Sequence, residues 1–245
     1  MYNTLLQIFA FLLLLFFYTK CNKSLKEHSK TWYTVTAIYA VIVGALMLYN
    51  ALFYDTIPEG FFDHWYFAPY ALSAGGLIGS MIWAAVMLSS VMPHKKIRAR
   101  MMSLRTEISI LGFMVSMPQS VVFTFQAYLG ILNGIGGLVY AGITSVYLAL
   151  LMILGITSFP SVKAKMGMKK WKKLHKLSYT FYVLLFLQLT LVSVLRGVGS
   201  LGLGNYVDFA FSLLRTLFYL IVLISWVVLK AKKKAEKKKK AASIA

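Results

Sequence analysis

Gln119 and Gln188 stand deep inside apolar sequence, in SMPQSVVF and LFLQLTL, and His175 stands between Trp171 and Tyr179 in KKWKKLHKLSY. A polar side chain in hydrocarbon has no water to satisfy it, so it needs a protein partner or a ligand. Gln119 lies 11 residues beyond Ile108 and Gln188 lies 11 residues beyond Leu177. At helical rise both amides sit about 16 Å from the same face of a membrane. They can face each other across a bundle, either as an interhelical hydrogen bond or as the walls of a cofactor pocket. Pro118 loosens the helix just before Gln119 and frees a backbone carbonyl that an amide can satisfy.

The other candidates are charged or aromatic. Trp171, His175 and Tyr179 recur every four residues and share one helical face at the inner interface. Such a stripe suits an aromatic belt with a polar tip, and a lone histidine in it serves as a hydrogen bonder or as a ligand. Arg215, in DFAFSLLRTLF, lies about two turns into the last apolar run. It can pair with Asp208, snorkel outward, or hold an anionic group such as a propionate or phosphate. Arg105 and Glu107 open the run that carries Gln119, and an acid there suits the helix dipole. His28 and His94 fall in inner loops and His64 in an acidic outer loop, without a paired-histidine metal motif.

These residues are positioned by membrane helices. The chain is 59% hydrophobic and 13% charged, with a mean hydropathy of +0.71, too little charge to cover a soluble domain of this size. Its apolar runs read as seven helices at about 4–19, 32–54, 67–92, 108–130, 138–159, 177–196 and 207–229. The segments 20–30, 93–107, 160–176 and 230–245 hold 24 of the 26 Lys and Arg residues, so they are assigned to the inside. The N-terminus is then outside and the lysine-rich tail inside. The net charge of +19 is split among these connections rather than gathered on one soluble face, which argues against nucleic acid as a partner.

The tail KAKKKAEKKKKAASIA reads as an orientation signal that touches anionic lipid, with an acidic partner as the alternative. The glycine-rich stretches GILNGIGG (130–137) and RGVGSLGLG (196–204) read as outer turns; no strand precedes them, so they are not phosphate cradles. Gly75, Gly79 and Ser80 form a small-residue pattern expected at a close helix crossing. The single cysteine, Cys21, excludes an internal disulfide and any multi-cysteine cluster.

The segment LGITSFPSVKAKMGMKKWKKLHKLSYTFYVLL, with RTEISILGFMVSMPQSVVF upstream, resembles the ferric reductase-like transmembrane domain family. That family includes the haem-binding membrane subunit of the periplasmic methionine sulfoxide reductase system. The resemblance implies an all-α integral membrane protein with a six-helix core and one added N-terminal helix. The divisions are 1–30, 31–229 for the family domain, and 230–245 for the tail. It implies electron transfer across a bacterial cytoplasmic membrane through b-type haem held by paired histidines. Here both outer haem-ligand positions carry glutamine, Gln119 and Gln188, and an amide oxygen is a weak ligand beside imidazole. The change reads as loss or replacement of that haem. If a haem binds, His175 with His94 is the inner pair and Arg215 holds an acidic cofactor group. If quinone or flavin binds instead, its site is the basic inner mouth near Arg105, Lys172 and His175. The role implied is an oxidoreductase subunit without its own nucleotide-binding domain. A separate flavoprotein or an extracytoplasmic redox partner would then complete the system. A haem-free scaffold or accessory subunit of the same fold is the alternative.

Overall fold

The computed structural model describes residues 22–53, 70, 76–129 and 135–242. Among them the elements are α1 (Asn22–Glu27), α2 (Ser29–Phe53), α3 (Leu77–Ser89), α4 (Lys95–Ser103), α5 (Arg105–Leu129) and α6 (Ile135–Ile156). There follow α7 (Pro160–Met166), α8 (Met168–Leu174), a 3-10 turn (His175–Leu177), α9 (Ser178–Gly202) and α10 (Tyr206–Ala242). Five of the described helical runs are long and apolar enough to cross a membrane, those containing α2, α5, α6, α9 and α10, with α3 a shorter apolar helix. The chain is thus a helical, multi-pass membrane protein. The expected first span, 4–19, and most of the 67–92 span before α3 lie outside the described residues.

The helices pack in a chain of neighbours: α9 lies along α10 and against α6, while α5 meets α2, α3 and α6. Small residues set the closest approaches. A Cβ on Gly155 would fall onto the ring of Phe113, one on Gly79 onto Ser116 Oγ, and one on Gly112 onto Ile82. The crossing expected at Gly79 and Ser80 is therefore present, between α3 and α5. Around it the core gathers Trp83, Tyr147, Phe181, Tyr182, Phe186, Tyr219 and Trp226. Outward faces are apolar and exposed, as on α2 at Val35, Ile38, Val41 and Ile42, the pattern of a protein whose solvent is lipid.

Two boundaries differ from the sequence reading. The stretch from 196 does not break into a loop: α9 runs on to Gly202. Gly197 accounts for this, since it lets α10 approach until an added Cβ would lie 3.2 Å from Ser212 Cβ, and that packing outweighs poor glycine propensity. The reversal is confined to Leu203–Asn205, where Gly204 takes φ +71. Asn205 then caps α10, accepting from the Asp208 N–H at 3.1 Å while its own amide donates to Asp208 Oδ2 at 2.7 Å. The second difference is the lysine tail, which continues α10 to Ala242 rather than leaving it at 229. Lys233 Nζ donates to the Ser90 carbonyl at 2.6 Å, and Lys230 Nζ lies 3.2 Å from the Tyr179 ring centroid. These contacts bring the start of the tail to the end of the bundle that holds the C-terminus of α3 and the start of α9.

Candidate functional site: two cavities either side of an aromatic wall

The connection between α6 and α9 is built around Thr157. Phe159 is extended and Pro160 begins α7, the position where proline's fixed φ suits a helix start. Gly167 divides α7 from α8 at φ 79 and ψ 147, a conformation that needs glycine. The break turns α8 back so that Trp171 Nε1 donates to the Thr157 carbonyl at 2.9 Å. His175 Nε2 meets Thr157 Oγ1 at 3.2 Å, and the Trp171 and His175 rings lie 4.1 Å apart.

The direction of the His175 bond follows from proton bookkeeping. Thr157 gives its hydroxyl proton to the Ile153 carbonyl at 2.6 Å, so its oxygen can only accept from His175. His175 is thereby fixed as the Nε2–H tautomer, with an acceptor lone pair on Nδ1. It stands in the turn before α9, outside the span. Burial pushes its pKa down from 6.5 to about 4, helped by the positive charges of Arg105 and Lys163.

A cavity of about 390 Å³ opens beside this imidazole. Arg105 from the start of α5, Lys172 from α8 and Lys176 from the turn supply its charge. Trp171, Tyr179, Phe181, Tyr182 and Trp83 supply flat apolar walls. The structure therefore brings Arg105, Lys172 and His175 together. It does not bring His94 with them: His94 precedes α4, is exposed, and does not line the cavity.

A second cavity, of about 50 Å³, lies between α3, α5, α6, α9 and α10. Gln119, Gln188 and Arg215 all line it, with Ser116, Ser120, Ser193, Tyr147 and Tyr219. Both amides are buried, Gln119 at 8% exposure and Gln188 at 7%. The positions read from the sequence as equally deep do converge.

A wall of aromatic rings separates the two spaces. Tyr147, on the second cavity, stacks on Phe181, on the first, at 5.4 Å and 13°. Trp83 meets the same Phe181 edge-on at 4.9 Å, and its Nε1 donates to Ser116 Oγ at 3.0 Å. Thr157, Trp83, Tyr147 and Tyr219 were not singled out by the sequence. Thr157 sits in the ITSF motif, which offered a signal, whereas the aromatics are ordinary members of apolar runs.

The donor set fits b-type haem poorly. The two positions to which the resemblance assigns haem ligands offer amides, the space between them takes only a handful of atoms, and His94 and His175 do not share a cavity. Among the described residues no group of three or more His, Cys, Asp or Glu is placed to hold a metal ion.

No family model matches this chain, and no solved structure matches it. It is 27% identical to an uncharacterized protein of Treponema pallidum (strain Nichols) over 168 residues, 66% of this chain and 44% of that protein. The chain thus spans less than half the length of that relative.

Proposed function

We propose that this chain is the membrane subunit of a transmembrane electron-transfer system. Electrons would pass from a quinone or flavin in the inner cavity to an extracytoplasmic acceptor. In this reading seven spans cross a bacterial cytoplasmic membrane, the N-terminus is outside, and the lysine tail lies inside on anionic lipid. The resemblance to the ferric reductase-like family supplies the class of reaction.

The observation that carries the reading is the composition of the 390 Å³ cavity, with cations and a neutral imidazole set among flat aromatic walls. A volume in this range is that of a small-ligand pocket. The walls suit a planar conjugated ring. Arg105, Lys172 and Lys176 favour the negative charge such a ring carries when reduced, and His175 Nδ1 can accept a hydrogen bond from its N–H or O–H. Whichever ring binds supplies the two-electron chemistry; the protein residues hold it, exclude water and stabilise its charge.

A second reading is a haem-free scaffold or accessory subunit, in which a separate flavoprotein or outer partner carries all redox groups. The two glutamines at the family's ligand positions favour it. Titration of a short-chain naphthoquinone and of flavin mononucleotide into the protein in lipid nanodiscs, followed by tryptophan quenching, separates the two. Saturable binding weakened about tenfold or more by Arg105→Gln supports the inner site, since a charge-assisted hydrogen bond contributes about 1.5–3 kcal/mol. Absence of binding by both rings would leave the scaffold.

A further inference from the structure

Granted a conjugated ring in the 390 Å³ cavity, the reading on which this inference rests, the lining also discriminates between kinds of ring. Its cations are in surplus. Arg105, Lys172 and Lys176 line it with no carboxylate side chain beside them, and none of the three is in an ion pair. Arg105 has the Tyr182 hydroxyl as a neighbour, which does not neutralise it. Lys172 and Lys176 stand four residues apart, a helical spacing at which like charges repel. Beyond the effect of burial, Arg105 and Lys163 push the His175 pKa down, so positive potential reaches the imidazole beside the cavity.

The neutral donors of the lining are largely spent. Trp83 Nε1 gives its proton to Ser116 Oγ at 3.0 Å, Trp171 Nε1 to the Thr157 carbonyl at 2.9 Å, and His175 Nε2 to Thr157 Oγ1. Ser109, Ser158 and Ser178 give theirs to the carbonyls of Arg105, Leu154 and His175, each at 2.7 Å. Among the described lining residues, only the hydroxyls of Thr106, Tyr179 and Tyr182 keep an uncommitted neutral proton. The strongest donors facing a ligand are therefore the three cations, and a cation's best partner is an oxyanion. Ser109 Oγ, partly exposed on the lining, can only accept, which suits a ligand hydroxyl.

We propose that the occupant is a planar ring carrying a phosphate on a hydroxylated arm, of the flavin mononucleotide class, and not a quinone. The ring lies among the aromatic walls, and the phosphate lies with Arg105, Lys172 and Lys176. A quinone head accepts one or two hydrogen bonds and carries no lasting charge, so it would leave the surplus of positive charge unanswered. A phosphate monoester answers it with up to two negative charges and three acceptor oxygens.

The test titrates riboflavin, flavin mononucleotide and a short-chain naphthoquinone into the full chain in zwitterionic nanodiscs, followed by tryptophan quenching. Flavin mononucleotide is expected to bind about tenfold or more tighter than riboflavin, the value of one charge-assisted hydrogen bond, and tighter than the naphthoquinone. Lys172→Gln combined with Lys176→Gln is expected to bring it within about twofold of riboflavin. Lys169→Gln combined with Lys170→Gln removes the same charge from exposed positions of α8 off the lining, and is expected to keep the preference. Equal affinities for the two flavins, tighter binding of the naphthoquinone, or equal loss in both double variants would overturn the proposal while leaving a ring in the cavity. Failure of all three rings to bind would instead remove the ring reading itself, and the proposal with it.

Discussion

Thr157 and His175, eighteen residues apart, meet through Oγ1 and Nε2 at 3.2 Å, and this contact closes the connection between α6 and α9 onto the end of α6. Because Thr157 Oγ1 already donates to Ile153, the imidazole must be the donor. One threonine thus sets the tautomer of the histidine beside the 390 Å³ cavity.

Thr157→Val keeps the shape and removes both bonds of the hydroxyl. It should cost about 1–2 kcal/mol of stability and release the ring from its single tautomer. Thermal unfolding reads the first effect. Nitrogen-15 spectra of labelled histidine read the second, with a fixed Nε2–H pattern in the parent and averaged signals in the variant.

The lowered pKa of His175 gives a pH dependence with a definite sign. Its folded value of about 4 lies below its ordinary 6.5, so the unfolded chain binds the proton more readily. The histidine therefore opposes unfolding least in acid. Stability is full above pH 6.5 and is lost as pH falls from 6.5 toward 4. Unfolding midpoints measured across that window should drop in the parent and drop less in His175→Gln.

Glycines of similar sequence context should respond in opposite ways. Gly155→Ala drives a methyl into Phe113 at the α5–α6 crossing and should destabilise by about 1–3 kcal/mol. Gly142→Ala, on the same helix, meets nothing within 4 Å and should be neutral or stabilising by up to about 1 kcal/mol. Unfolding of the two variants in one detergent makes the comparison.

Trp83 and Ser116 tie α3 to α5 through one hydrogen bond at 3.0 Å, inside the wall that separates the cavities. A double-mutant cycle with Trp83→Phe and Ser116→Ala should give a coupling of about 0.6–1.7 kcal/mol, the range for buried bonds between membrane helices. Additive losses would mean the bond contributes nothing beyond packing.

How much of this was legible beforehand depended on the kind of signal. Equal depth along two parallel apolar runs was enough to place Gln119 and Gln188 on one cavity, because rise per residue converts spacing into position. The charged and aromatic cavity was also readable, since Arg105 stands just before one apolar run and Lys172 and His175 lie in the basic, aromatic-bearing segment that leads into another. The partners across the bundle were not. Trp83, Tyr147 and Phe181 look like any aromatic in hydrocarbon, and only helix rotation shows which of them stack. The course of α9 past Gly197 is not legible in the sequence because glycine propensity is local, whereas the close approach of Ser212 that favours glycine there is tertiary. His94 is the histidine nearest in sequence to the start of α5, and nearness along the chain does not bring it to His175: it stands exposed before α4.

The most direct test of the account is cofactor content. Purified protein from cells supplied with haem, flavin and quinone should be extracted and assayed for all three, alongside Arg105→Gln. The account predicts flavin or quinone retained by the parent and depleted in the variant, with no b-type absorption in the reduced-minus-oxidised spectrum. About one b-type haem per chain in the pyridine haemochrome assay would contradict it.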